Sequence, residues 1–378
     1  MTWLFLLSGV FLGWSLGAND GANIFGTAVG TKMVRFRTAA WVAAFFVVVG
    51  AVAGAHGTAQ TLGRLGSIDA PAGAFVVALA AGLAVVVFLS RNSLPVSISQ
   101  SIVGAIVGWN LFTGRPTDLL TLTTLLSSWF VSPALSGTVA ALLFVCARAA
   151  IPRLKIHLLE VDAWMRATLI AVGAFAAFSL GQNAIANVMG VFVRVSPFPD
   201  AVSLGPFRAT SVQMLFFLGG LAIAAGILTY SERIMVRLGA GLTSLSPLAA
   251  LIVVFAASMS LFLFGSPTLQ ALLKEHSLPG WPLVPVSGSQ AIVGAILGIS
   301  LVRRSGIRHR VLVNIAIGWI AAPLAALLLA FVGLFVFQNV FQLPVSSKSP
   351  ARPNVAASAS GPAAPAGPND ANPISSGR

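Results

Sequence analysis

One cysteine, nine acidic residues and four histidines are all that this 378-residue chain contains, and residues charged at either sign make up only 8% of it. Each shortage excludes something. A lone Cys146 allows no internal disulfide and no cysteine metal cage, and its place inside an apolar run suits a filler. The histidines (His56, His157, His276, His309) have no metal-ligand spacing with one another or with acids, and read as structural or loop residues. No nucleotide-binding loop and no nucleophile beside a partnered base is present, so an ATP-driven pump or an intramembrane enzyme lacks its chemistry. With 57% apolar residues and a mean hydropathy of +0.93, the chain has too little polar surface to clothe a soluble domain of this size. It is an integral membrane protein.

Apolar runs near the length of a bilayer span recur along it, among them "WVAAFFVVVGAVAGA" from 41, "AGAFVVALAAGLAVVVFL" from 72 and "MLFFLGGLAIAAGILTY" from 214. They show neither strand alternation nor barrel-length segments and therefore read as helices. Apolar sequence follows Met1 directly, without a basic n-region or an Ala-x-Ala site, which reads as a retained first span. The net charge of +13 is dispersed over short loops without interleaved aromatics, a poor nucleic-acid surface but a usable topology signal. If the chain starts outside and crosses ten times, fourteen basic residues, including Lys32, Arg35, Arg37, Arg148, Arg303 and Arg304, fall inside. Only Arg64, Arg115, Arg194, Arg208 and Lys274 fall in outer loops. The positive-inside rule then places both termini outside, in a multi-pass protein of the plasma (inner) membrane. Residues 344–378, rich in Pro, Ala and Ser, are expected to form a disordered tail.

The chain contains itself twice. "PVSISQSIVGAIVG" at 95 returns as "PVSGSQAIVGAILG" at 285, and "WFVSP" at 129 as "WIAAP" at 319, each 190 residues on. "SLGANDGAN" at 15 returns as "SLGQNAIAN" at 179, 164 residues on, so the second half holds an insertion, which includes "GSPTLQALLKEHSLPGWP". Five crossings per half, an odd number, put the second half in the membrane upside down. The expected fold is thus an all-α polytopic membrane protein of two inverted-topology repeats, with broken helices. Its parts are a first repeat at 1–151, a cytoplasmic linker at 152–162, a second repeat at 163–343 and the tail. Small residues such as Gly104/Gly108 and Gly294/Gly298 serve helix packing and allow a homodimer, but packing does not require the polar atoms of the repeated blocks.

In "GANDGAN" the glycines and the Asn/Asp cluster are expected to break the helix, freeing amides for an anion and carbonyls for a cation. Asp20 is the acidic residue placed at membrane depth; the other eight fall in loops, at span ends or in the tail. In "PVSISQ" and "PVSGSQ" the prolines suit a helix start, and Ser97, Ser99, Ser287 and Ser289 offer hydroxyls to a tetrahedral oxyanion. An ordinary N-cap is the alternative reading of those serines.

These motifs resemble the signature of the inorganic phosphate transporter (PiT) family, in which Gly-Ala-Asn-Asp-x-Ala-Asn occurs in both halves and Pro-Val-Ser-Thr-Thr-His follows each. The resemblance covers residues 3 to 338 in order. It implies a site at midmembrane where the Asn-Asp motifs meet two Pro-Val-Ser hairpins around phosphate and a coupling Na+ or H+. Carried to matching positions, it implicates Asn19, Asn23, Asn183, Asn187, Ser97, Ser99, Ser287 and Ser289 in substrate binding, with Gln100 and Gln290 where the family has histidine. Asp20, with Asn19 and Asn183, would hold the coupling ion, a Na+ at Asp20 being the one metal implied, and no other cofactor is expected. Three departures stand out. Ala184 replaces the second Asp, Gln100 and Gln290 replace histidines, and Ile98 and Gly288 replace the first threonines. Neutral amides cannot take up a proton, and fewer carboxylates reduce coupling to a single Na+ or to a proton on Asp20. The first expectation is a secondary phosphate transporter working by alternating access; the others are a sulfate or similar oxyanion permease, and a transport-inactive scaffold or sensor.

Overall fold

The computed structural model describes residues 2–54, 56–92, 96–150, 158–204, 207–238, 246–304 and 309–347. In chain order the helices are α1 (Thr2–Gly30), α2 (Phe36–Gly54), α3 (His56–Leu65), α4 (Pro71–Asn92), α5 (Ile98–Thr113), α6 (Leu119–Ala150), α7 (Leu158–Met189), α8 (Ser211–Leu238), α9 (Pro247–Gly265), α10 (Pro267–Glu275), α11 (Gly288–Arg303) and α12 (His309–Asn339). A 3-10 turn (Gly190–Val195) and a two-stranded hairpin, β1 (Ala201–Leu204) with β2 (Phe207–Thr210), join α7 to α8. Among the described residues eight helices are long and apolar enough to cross a membrane: α1, α2, α4, α6, α7, α8, α9 and α12. The other two of the ten expected crossings, α5 and α11, have 16 residues each, about 24 Å of helix and short of a ~30 Å hydrocarbon core. The expected insertion is visible as α10 and the extended chain that follows it.

Helix packing repeats between the halves. α1 lies along α8 and α7 along α2; α5 lies along α12 and α11 along α6; α4 touches α1, α5 and α12 while α9 touches α7, α11 and α6. The glycines of the repeated blocks make these contacts backbone to backbone. A Cβ on Gly17 would collide with the Ile223 carbonyl and one on Gly181 with the Val47 carbonyl. On the short helices, Gly104 meets the Pro323 carbonyl and Gly294 the Pro133 carbonyl, the two inner prolines of α12 and α6.

Those contacts correct one expectation. The helix is not broken at "GANDGAN": α1 runs unbroken through Asn19, Asp20 and Asn23, and α7 through Asn183 and Asn187. Glycine at positions 17 and 21 serves close approach to α8, where Gly21 faces Ser231, and the helix ladder is kept. The non-helical backbone lies elsewhere, in the buried entries to α5 (Val96, Ser97) and α11 (Val284 to Ser287). Pro95 and residues 348–378 of the expected tail lie outside the described residues. So do 152–157 of the expected linker; its remainder, 158–162, already belongs to α7. Cys146 sits on the exposed side of α6 and fills no core gap.

α5 and α11 leave their entries in opposite directions. α5 runs parallel to α12, Gly104 meeting Pro323 and Gly108 meeting Leu327; α11 runs parallel to α6, Gly294 meeting Pro133 and Gly298 meeting Gly137. One face of the bundle gathers α3, the 3-10 turn, the end of α5 and both ends of the described chain. Trp3 stacks edge-on against Phe198 at 4.9 Å, and the Trp109 indole donates to the Val345 carbonyl at 3.1 Å. Residues 344–347 are therefore not tail-like. Asp69 accepts from Arg115 (2.7 Å) and from the Ser347 amide (3.1 Å) and hydroxyl, and Arg115 also lies over the Trp109 ring.

Partial burial pushes the Asp69 carboxyl up, but hydrogen bonds from Ser347 and Arg115 outweigh it and hold the group at about 2, below its ordinary 3.8. A depressed carboxylate stabilises above its unfolded value and loses that contribution as pH falls through the folded one. Acidification from pH 4 toward 2 should release residues 344–347 from Trp109, read as a change in tryptophan emission. Asp69→Asn should show the released emission at neutral pH.

Candidate functional site

The two non-helical entries meet in the middle of the bundle, and side chains of the repeated motifs supply their backbone partners. Buried polar backbone without a partner costs several kcal/mol in a membrane interior. The Ser99 hydroxyl donates to the Val286 carbonyl at 3.1 Å, and the Ser289 hydroxyl donates to the Val96 carbonyl at 3.4 Å. Since Ser289 repeats Ser99 and Val286 repeats Val96, each hairpin tip bonds the other's entry in the same way. Asn19 Nδ2 donates to the Val96 carbonyl at 3.0 Å. Asn183, its repeat, donates to the carbonyls of Val284 and Leu261 at 3.3 Å each and accepts from the Val286 amide at 3.0 Å.

Ser97 and Ser287 are N-caps, their hydroxyl oxygens accepting from the Gln100 and Gln290 amides at 3.3 Å. The capping alternative holds for these two serines, and it leaves each hydroxyl proton free to donate; Ser287 and Ser289 lie 3.1 Å apart. Gln100 and Gln290 occupy the third helical position, where a capping box would turn the side chain back to the cap. Neither does so: both side chains are buried and their Oε1 atoms have no partner.

Asp20 is the point where the halves differ. Its Oδ1 accepts from Asn19 (2.8 Å) and Asn23 (3.2 Å). Its other oxygen points toward Gly288 at the tip of α11, where an added Cβ would lie 3.6 Å away. A cavity of about 20 Å³, room for one water-sized group, opens there between Asp20, Asn23, Leu180, Ser258, Leu261 and Gly288. Glycine at 288, in place of the threonine of the resembled motif, leaves that oxygen uncovered. In the second half Asn187, which repeats Asn23, donates to Ser99 at 2.8 Å, and Ala184 brings no charge. Among the described residues Asp20 has no basic partner.

All expected site residues thus converge: Asn19, Asp20, Asn183, Asn187, Ser97, Ser99, Gln100, Ser287, Ser289 and Gln290 are buried at the two tips, and Asn23 is half-buried beside them. The unpartnered buried atoms of this group are all acceptors: the amide oxygens of Asn19, Asn187, Gln100 and Gln290. For Asn19 and Asn187 the orientation is fixed by the donor side of the same amide. Sequence reasoning missed the backbone of Val96, Val284 and Val286, which carries no side-chain signal. It also missed Gln182, a buried amide with an unpartnered oxygen. Its signal was present, since Gln182 stands where the first motif has Ala18.

A model of the phosphate transporter family matches residues 16–330 and, again, 278–361. This chain belongs to the phosphate transporter family. The family is one of permeases, not enzymes. The transporter is 26% identical over 328 residues to a candidate phosphate permease of Methanocaldococcus jannaschii, covering 86% of this chain and 95% of that one. It is 31% identical over 200 residues to a sodium-dependent phosphate transporter of Plasmodium falciparum, 49% of this chain and 30% of that one. A solved structure, described as the sodium-dependent phosphate transporter, shares its fold with a TM-score of 0.69 at 21% identity, over 89% of this chain and 98% of that chain.

The two crossed serine bonds differ in length, and so should their weights. Ser99→Ala deprives both the Val286 carbonyl and the Asn187 amide, and should lower stability by about 1–3 kcal/mol, whereas Ser289→Ala, which removes a 3.4 Å contact to Val96 and a hydroxyl pair with Ser287 that can turn to other partners, should cost less. Thermal unfolding of the two purified variants in detergent checks the order.

Proposed function

We propose that the protein is a secondary active transporter of inorganic phosphate, coupled to a single Na+ or H+ at Asp20, working by alternating access of two inverted halves. The observation that carries this reading is the Asp20 carboxylate: buried, tied on one oxygen by two amides, open on the other, and without a basic partner among the described residues. A carboxylate in that setting calls for a cation or a proton. The amide oxygens of Asn19 and Asn187 offer further hard ligands of the kind Na+ takes. Phosphate would lie between the tips, where the N-terminal ends of α5 and α11 face each other. There Ser97 and Ser287 have hydroxyl protons to offer, Ser99 and Ser289 line the same space and would turn from the Val286 and Val96 carbonyls to reach the anion, and the Gln100 and Gln290 amides lie in the first turns. Asn183, whose amide is occupied by backbone, acts through the hairpin entry that it holds. Sodium dependence is named for two relatives, and Ala184 in place of a second carboxylate argues for one coupling ion.

The inverted arrangement is supported by the opposite directions of α5 and α11 and by the repeated packing of the halves. We divide the chain accordingly into repeats at 1–151 and 163–343. The face bearing Lys32, Arg35, Arg37, Arg148, Arg303 and Arg304 is assigned to the cytoplasm and both termini to the outside of the plasma membrane, from the charge asymmetry of the loops.

Uptake of labelled phosphate into proteoliposomes under separate Na+ and proton gradients tests this. One gradient should drive uptake with a first-order dependence on that cation, and Asp20→Asn should lower it by about 100-fold or more. Uptake indifferent to Asp20→Asn would sink the coupling assignment. Binding without uptake would favour a sensor.

A further inference from the structure

Two cavities lie on opposite sides of the Asn183–Asn187 level, one against α7 and one against the 3-10 turn that follows it. The small one touches Ala176 and Leu180, on the Asp20 side; the other begins at Gly190, about 15 Å further along the helix axis, and has a volume of about 540 Å³. Its floor is Ala59 and Leu62 of α3 against Gly190, three residues past Asn187. Its walls carry two guanidiniums, Arg64 at the end of α3 and Arg194 in the 3-10 turn. Neither forms an ion pair among the described residues. The one carboxylate in the lining, Asp118, is turned onto its own helix, accepting from the Leu120 and Thr121 amides (3.0 and 3.3 Å) and the Thr121 hydroxyl (2.7 Å).

We propose that this cavity is an anion-collecting antechamber in which Arg64 and Arg194 concentrate inorganic phosphate ahead of the hairpin tips. The proposal rests on the transport reading above and adds a second binding site to it. Two guanidiniums against the single Asp118 carboxylate, whose oxygens are taken up by Leu120 and Thr121, leave the cavity net positive and favour an oxyanion there. The guanidinium fork suits phosphate oxygens, and low-dielectric walls of Leu62, Ile68, Val191 and Val212 focus the field into the cavity. A volume well above that of one oxyanion means capture with hydration water retained, so the effect falls on phosphate recruitment and leaves the rate of the transport cycle to the tips. α3 joins the two regions physically, since the Thr61 hydroxyl donates at 2.6 Å to the Leu283 carbonyl, just before the entry to α11.

The test is phosphate uptake in vesicles that present this face to the label, at low and high salt. The double variant Arg64→Gln with Arg194→Gln should raise the half-saturating phosphate concentration by about tenfold at low salt. Its maximal rate should stay within about twofold. In ~1 M inert salt, where the screening length is ~3 Å, the unaltered protein should converge on the variant's value. Arg64→Lys with Arg194→Lys keeps the charge and should retain most of the affinity, which separates charge from packing. Arg208→Gln, at the same end but outside the lining, should change nothing. Unchanged half-saturation in the double Gln variant, or an equal shift from Arg208→Gln, would overturn the antechamber while leaving the transport reading in place. No uptake by the unaltered chain under any gradient would overturn both.

Discussion

Everything at the centre of this bundle depends on giving hydrogen-bond partners to non-helical backbone inside a membrane protein. Two helices start mid-bundle, so two extended entries bring polar groups where neither water nor a helix ladder can serve them. The solution is reciprocal: Ser99 of the first half serves Val286 of the second, and Ser289 of the second serves Val96 of the first. Asn19 and Asn183, on unbroken helices, hold the same entries from the side. The contact glycines bring the helix backbones close enough for these short side chains to reach. Two helix N-termini consequently face each other with hydroxyls between them, which is the chemistry that an oxyanion needs.

The crossed serine bonds repeat between the halves, but the surroundings of Asp20 do not. Asn187 donates to Ser99, but its repeat Asn23 turns to the Asp20 carboxylate instead of to Ser289. One half thereby holds a negative charge and an open oxygen beside Gly288, while the other has Ala184 at the matching place. Under the proposed transport cycle, a single charge at the tips matches a single coupling cation, with the unpartnered amide oxygens of Asn19 and Asn187 nearby. The charges that act on the substrate from further off belong to Arg64 and Arg194 at one face.

Much of this was legible in the sequence because the repeats carry it. The two copies of "PVS-x-SQ" and the two Asn motifs pointed to the side chains that converge at the tips, and apolar runs pointed to membrane-spanning helices, though two of the ten expected crossings are the short α5 and α11. What was not legible depends on partners distant in sequence. Glycine in "GANDGAN" reads equally as a helix breaker or a contact surface, and only the Ile223 carbonyl opposite Gly17 decides. The holding of residues 344–347 was hidden in a tail-like composition, since it is set by Asp69, Arg115 and Trp109. α3 is short and polar on one side, so Arg64 passed for an ordinary loop charge, though it lines a cavity with Arg194.

The most direct measurement asks whether phosphate occupies the tips. In a Cys146→Ala background, Ser289→Cys places one thiol on the second hairpin, and its rate of modification by a small thiol reagent reports access. At phosphate ten times its dissociation constant, with the coupling cation present, modification should slow by about tenfold, and sulfate at the same concentration should leave it unchanged. A rate indifferent to phosphate would contradict a substrate site between the crossed hairpins.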